Sequence, residues 1–210
     1  MVRPSQNIDK LLLAAGAELL PVTGCKGLSV RQLVEHAGVN LGMFHYHFKS
    51  KDNFIRTVLE QTYEEMFSAL VLQVSEVHSP MESLRGALRV LGRFGRKNRV
   101  LMVTLVSEAM AGEALPAAFL RANLPRHIKI IAALVARAQR DGSIVKAPVP
   151  AVLAFLMGSV AAPLLLGSAI AQHGVLPPET AALIEKSVLS ERALDQRIEF
   201  ALRGLAADRK

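Results

Sequence analysis

Residues 29 to 51 read SVRQLVEHAGVNLGMFHYHFKSK. Ser29 is suited to cap a helix running to about His36, because a short hydroxyl side chain accepts a hydrogen bond from a free N–H of the first turn. Leu33, Val34 and Ala37 recur on one side of that helix and supply its buried face. Gly38 has no Cβ to oppose a positive φ, so Ala37-Gly38-Val39 predicts the tight corner of a helix-turn-helix, with Val39 filling the angle between helices. Asn40 then caps a second short helix containing Leu41, Gly42, Met43, Phe44, His45, Tyr46, His47 and Phe48. Phe44 and Phe48, four apart, share a face and are predicted to point inward. His45 and Tyr46 then point away, beside Leu41 and Gly42 at the end that such a motif presents to a major groove. Phe44, Tyr46, Phe48 and Phe54 lie within eleven positions in a chain with 8 Phe and 2 Tyr, so the small head has its own aromatic core.

Working outward, helical periodicity dominates the chain and no stretch alternates convincingly with period two between hairpin turns, which predicts an all-α fold. Breaks at Thr23-Gly24 and Gly27, Gly38, Ser50, Ser79-Pro80, Gly112 with Pro116, Asp141-Gly142, Pro148 to Pro150 and Gly174 to Pro178 leave room for about nine helices. Short helices fill the first 50 residues and longer ones follow. That order predicts a helix-turn-helix head over residues 1–51 and a larger helical body over 52–210. The 210 residues are 51% hydrophobic and 20% charged, which excludes a disordered chain. Cys25 is the single cysteine, so no internal disulfide or cysteine-based zinc cluster can form, in keeping with a reducing cytoplasm. A net charge of +7 raises the expectation of an anionic partner such as nucleic acid.

The run from Gly27 to Lys51 resembles the DNA-binding head of the TetR family of bacterial transcriptional regulators. It offers Ser29, Ala37-Gly38-Val39-Asn40-x-Gly42, Phe44-His45-x-His47-Phe48 and Ser50-Lys51 in register with the family's pattern. The resemblance implies three helices in the head and about six in a ligand-binding body, with the last two helices of two subunits forming a four-helix interface. It also implies a ligand-responsive regulator, most often a repressor, that binds a palindromic double-stranded DNA operator as a homodimer.

Carried over by position, Ser29 and Lys51 contact phosphate and Arg31 faces a base edge, guanine being the base whose acceptors match its fork. Gly42 admits the DNA backbone closely, Leu41 and Met43 offer apolar contact, and Tyr46 and His47 reach phosphates. His45 departs from the usual Tyr, Met43 from the usual small hydroxyl residue, and Pro21 lies where the first helix should still run, so that this helix is expected to end early.

In the body, Arg85, Arg89, Arg93 and Lys97 step by four and predict a basic stripe, read as a solvated face in preference to an anion site. Phe94, Met102, Leu105, Met110, Phe119 and Phe155 are the candidates for an effector pocket accepting a small apolar or amphipathic molecule. Residues 147 to 172 carry no charge. With their small Gly158, Ser159, Gly167 and Ser168 they are assigned to the first dimer helix, and Leu194, Ile198, Ala201, Leu202 and Leu205 to the apolar stripe of the second. The alternative use of the same segment is insertion into a membrane. The apolar run after Arg3 and Lys10 is read as an inner helix face rather than a signal peptide. Scattered histidines and the lack of a phosphate loop or nucleophile elbow predict no enzyme activity, no cofactor and no metal site. Cys25 is read as a buried or incidental thiol.

Overall fold

The computed structural model describes residues 7–75, 78–172 and 175–207, so Arg3, His173 and Gly174 lie outside the described residues. The helices are α1 (Ile8–Gly27), α2 (Val30–His36), α3 (Leu41–Phe48), α4 (Lys51–Ser75), α5 (Pro80–Lys97) and α6 (Arg99–Met110). They continue as α7 (Ala114–Arg140), α8 (Val149–Leu156), α9 (Ala162–Gln172), α10 (Pro178–Ile184) and α11 (Glu191–Leu205). A π turn at Met157–Ala161 runs α8 directly into α9, and another at Glu185–Leu189 extends α10. The fold is all-α, with an isolated antiparallel bridge between Ile144 and Ala206 as the β pairing among the described residues. Two compact units divide the chain: residues 1–64 with 100–122, and residues 65–99 with 123–210.

The first unit is built around aromatic side chains of the head. Phe44 and Phe54 are fully buried, and the Phe44–Phe48, Phe44–Phe54 and Phe48–Phe54 ring centroids lie 5.9, 5.5 and 4.9 Å apart. These tilted and edge-on distances are those at which rings attract beyond simple area burial. Leu12, Leu20, Leu28 and Leu33 close the core around them. Gly16 on α1 is where the Phe54 ring enters, since a Cβ there would lie 2.5 Å from its Cζ. The early end of α1 at Pro21 does not occur. The ring removes one helical donor, but the break comes three residues later at Gly24 (φ 71, ψ 174), where the chain needs a conformation that glycine adopts without a Cβ clash.

In the second unit α5 packs along α11, and Gly92 gives the Leu194 side chain its place. Ser79 and Glu82 form a reciprocal capping box at the start of α5, with Pro80 in the first turn. Val145 N–H donates to the Leu205 carbonyl at 2.8 Å and Ala207 N–H to that of Ser143 at 3.3 Å, so the end of α11 is fastened to the α7–α8 connection.

Two expectations about this unit are corrected. Leu194, Ile198, Ala201, Leu202 and Leu205 are buried within the single chain, so they form its own core and cannot serve as a dimer stripe. Gly167 and Ser168 also face inward, Gly167 against Leu189 and Ile184. The outward apolar side chains of the unit include instead Phe155, Met157, Leu166, Leu183 and Phe200.

The basic stripe is only in part a solvated face: Arg93 and Lys97 are exposed, while its arginines carry ion pairs. Arg85 pairs with Glu199 at 2.9 Å, Arg89 with Asp195 and Glu199 at 3.3 Å each, and Arg93 with Glu191 at 3.0 Å. Both helices step by four and run in opposite directions, so one row of cations meets one row of carboxylates rung by rung.

Candidate nucleic-acid interface

The corner between α2 and α3 has the geometry that its residues require. Gly38 takes φ 66. Its N–H donates to the Glu35 carbonyl at 3.1 Å, and Val39 N–H donates back to Val34 at 2.9 Å, which closes the end of α2 in a Schellman arrangement. The Asn40 side chain accepts from Met43 N–H at 3.0 Å and so caps α3. Ser29 occupies the cap position of α2 in extended conformation, but its hydroxyl makes no capping bond.

With Phe44 and Phe48 inside, the helical period turns the opposite side of α3 to solvent. Tyr46 is 74% exposed and Leu41 49%, while Gly42 and His45 are also exposed. Arg31 stands exposed on α2. Met43 is half-buried. His47 is half-buried, its Nε2 is enclosed without a hydrogen-bond partner among the described residues, and its ring lies edge-on to Tyr46 at 5.1 Å.

Residues 12–58 match the family described as bacterial regulatory proteins of the tetR family. The head of this chain is thus similar to that of the TetR family, over 47 of its 210 residues. The chain is similar to the HTH-type transcriptional repressor KstR2 of Mycolicibacterium smegmatis, with 31% identity over 84 residues. That match spans 40% of this chain and 40% of the repressor's length. Among solved structures, the ketosteroid transcriptional regulator KstR2 of Mycobacterium tuberculosis superposes with a TM-score of 0.71 at 16% identity, covering 98% of both chains. The TetR-family regulator PfmR of Thermus thermophilus superposes with a TM-score of 0.65 at 19% identity, covering 91% of this chain and 97% of its own. At those identities the likeness is one of fold.

Lys51 of this head has a backbone partner within the chain. Its half-buried side chain turns back, and Nζ donates to the Lys26 carbonyl at 3.0 Å. The same short segment is gripped from α6. The Glu108 carboxylate accepts from Cys25 N–H at 3.0 Å and from Lys26 N–H at 3.1 Å, two donors freed by the break at Gly24. Thr104 Oγ1 donates to the Pro21 carbonyl at 2.9 Å, and Lys26 Nζ pairs with Glu113 at 2.8 Å. The residues leading into α2 are thus anchored by Thr104, Glu108, Glu113 and Lys51, none of which the sequence pattern singled out for that role. Burial first, and the neighbouring Glu108 carboxylate second, push the Cys25 thiol up to about 12, so it is no nucleophilic thiolate near neutrality.

The six effector-pocket candidates are divided between the two units. Leu105 and Phe119 are buried and Met102 is half-buried in the first unit, but Met110 there is 85% exposed. In the second unit Phe94 is half-buried, and Phe155 points out among the exposed apolar residues. An open groove of about 520 Å³ in that unit is bordered by Gln73, Glu82, Arg85, Arg89 and Arg93. Its arginines are already paired with the carboxylates of α11, which leaves little net charge for an anion.

Proposed function

We propose that this chain is a cytoplasmic transcriptional repressor that grips a palindromic double-stranded DNA operator as a homodimer and releases it when a small apolar or amphipathic effector binds. In this reading residues 1–51 do the gripping and residues 52–210 do the sensing and dimerisation. The observation that carries it is the orientation of α3, whose Phe44 and Phe48 are sunk in the core while Tyr46 and Leu41 stand in solvent. A short helix held so rigidly from behind, and presenting its N-terminal end, has the geometry for reading base edges. Arg31 supplies the fork for guanine, Leu41 and Met43 the apolar contact, and Gly42 the room for backbone approach. In this reading phosphate is contacted by the hydroxyl of Ser29, which is not spent on its own helix, and by the exposed Tyr46 and His45.

Dimerisation is supported by the exposed Phe155, Met157, Leu166, Leu183 and Phe200. The Val149–Ala171 rod has a mean hydropathy of 2.2 over its most apolar window, with 22% of that window buried in the single chain. Such a surface is costly in water, and burial against a second copy removes that cost. Two heads also double the phosphate contacts available to a head with seven basic and four acidic side chains in residues 1–56.

Selection of bound duplexes from a random pool by the purified protein, with sedimentation of the free and bound forms, tests the whole reading. Enrichment of an inverted repeat by a dimer is expected. No enrichment, or a chain recovered solely in detergent, would refute it, and the latter would favour a bilayer as the cover for the apolar rod.

A further inference from the structure

We propose that Lys49, rather than Lys51, is the residue of this head that neutralises a DNA phosphate beside α3. The inference deepens the regulatory reading and rests on it. Four observations carry it. Lys51 Nζ already donates to the Lys26 carbonyl at 3.0 Å, whereas Lys49 has no such partner. Lys26 and His36 are likewise engaged, with Glu113 and Glu18 respectively, each at 2.8 Å. Lys49 is exposed, its side chain makes no hydrogen bond or ion pair among the described residues, and no acid lies between Glu35 and Asp52 to compete for it.

The backbone adds the fourth. Lys49 has φ 64 and ψ −45, and it is the one non-glycine residue with positive φ among the described residues. Ser50 N–H donates to the Phe48 carbonyl at 2.7 Å across it, closing a three-residue turn of the rare, strained hand. Glycine would fit that position without strain, so the lysine is disfavoured by local conformation. What a lysine offers there, and a glycine does not, is a mobile cation three residues beyond the outward Tyr46. A duplex carries one negative charge per about 1.7 Å of its axis, so a recognition helix laid in the groove brings phosphates within reach of the residue that ends it. A cation there also suits the carbonyl end of α3, but that benefit acts on stability and leaves the salt dependence of DNA binding unaltered.

The test compares wild type, Lys49→Gly, Lys49→Ala, Lys49→Arg and Lys51→Met. Binding to a mixed-sequence duplex of about 30 base pairs and to a duplex selected by the wild type is measured between about 50 and 200 mM salt. Lys49→Gly and Lys49→Ala are expected to flatten the plot of log affinity against log salt by about 0.9 for each engaged head, and to lose about eightfold in affinity per head at 0.1 M salt. Lys49→Arg keeps the slope. Because glycine accepts the turn, Lys49→Gly separates the lost charge from any folding defect, and Lys51→Met is expected to lower the melting temperature while the slope stays. Unflattened slopes in both Lys49→Gly and Lys49→Ala, or flattening in Lys51→Met instead, overturn the inference alone. A wild type that binds neither duplex overturns the regulatory reading and takes the inference with it.

Discussion

Replacing Glu108 with alanine removes the carboxylate that holds Cys25 N–H and Lys26 N–H across the break in α1. Hydrogen bonds to a charged acceptor contribute about 1.5–3 kcal/mol when shielded from water. The Cys25 bond is partly buried and takes a value near about 2 kcal/mol, while the Lys26 bond is exposed and, with water competing for both partners, takes about 1 kcal/mol or less. The loss expected for Glu108→Ala is therefore about 2–3 kcal/mol. In a chain of this size each kcal/mol moves the melting temperature by about 2–4 °C, so the variant melts about 5–10 °C below wild type. Glu108→Gln keeps one acceptor oxygen for one of the two donors and is expected to lose about half as much.

Three readouts localise the effect. Thermal melts give the total, amide exchange at Cys25 and Lys26 reports the freed donors, and the pH dependence of Cys25 alkylation reports the missing charge. Burial is the larger cause of the raised thiol pKa and Glu108 the next, so the variant's thiol ionises at lower pH than wild type yet still above an ordinary cysteine. A Glu108→Ala protein that melts within about 1 °C of wild type, with unaltered exchange at those two amides, refutes the clamp.

Gly16→Ala drives a methyl group into the fully buried Phe54 ring, and the repacking is expected to cost about 1–3 kcal/mol in urea denaturation; a neutral result would mean that the ring has room to retreat. The Cys25 thiol favours its neutral form in the folded chain, with a value of about 12 against an ordinary 9.0, so raising the pH takes the proton from the unfolded chain first. The thiol's contribution is therefore complete below pH 9 and is lost as the pH climbs from there toward 12. Between pH 8 and pH 10 the wild type should lose about 1 kcal/mol more stability than Cys25→Ala, and equal losses in urea titrations would contradict the burial of the thiol. On the outward apolar surface, a Leu166→Glu, Phe200→Glu double variant should sediment as a monomer, because two carboxylates there cannot be desolvated between copies; a dimer that survives them would put the interface elsewhere.

The head was legible because its geometry is decided by neighbours in the chain. Gly38, Asn40, Phe44 and Phe48 act within ten positions of one another, and each has a chemical reason to stand where it does: a positive φ, a cap, a shared inner face. What escaped the sequence acts across distance. Glu108 meets Cys25 over 83 positions, and nothing in the residues near either one announces the other. The arginine stripe illustrates the same gap. Its period of four was visible, but so was the period of Glu191, Asp195 and Glu199, and neither alone says that α5 and α11 lie antiparallel in register. Periodicity identifies which side of a helix is covered and is silent on what covers it. That silence explains the misassigned face of α11, where Leu194 and Ile198 are buried as deeply as a dimer contact would be, but by α5 of the same chain, while Phe200 on the other side carries the apolar surface left over. An apolar stripe at helical spacing therefore bears on quaternary structure after the subunit's own core has been filled, and here the residues outside that core include Phe155, Met157, Leu166, Leu183 and Phe200.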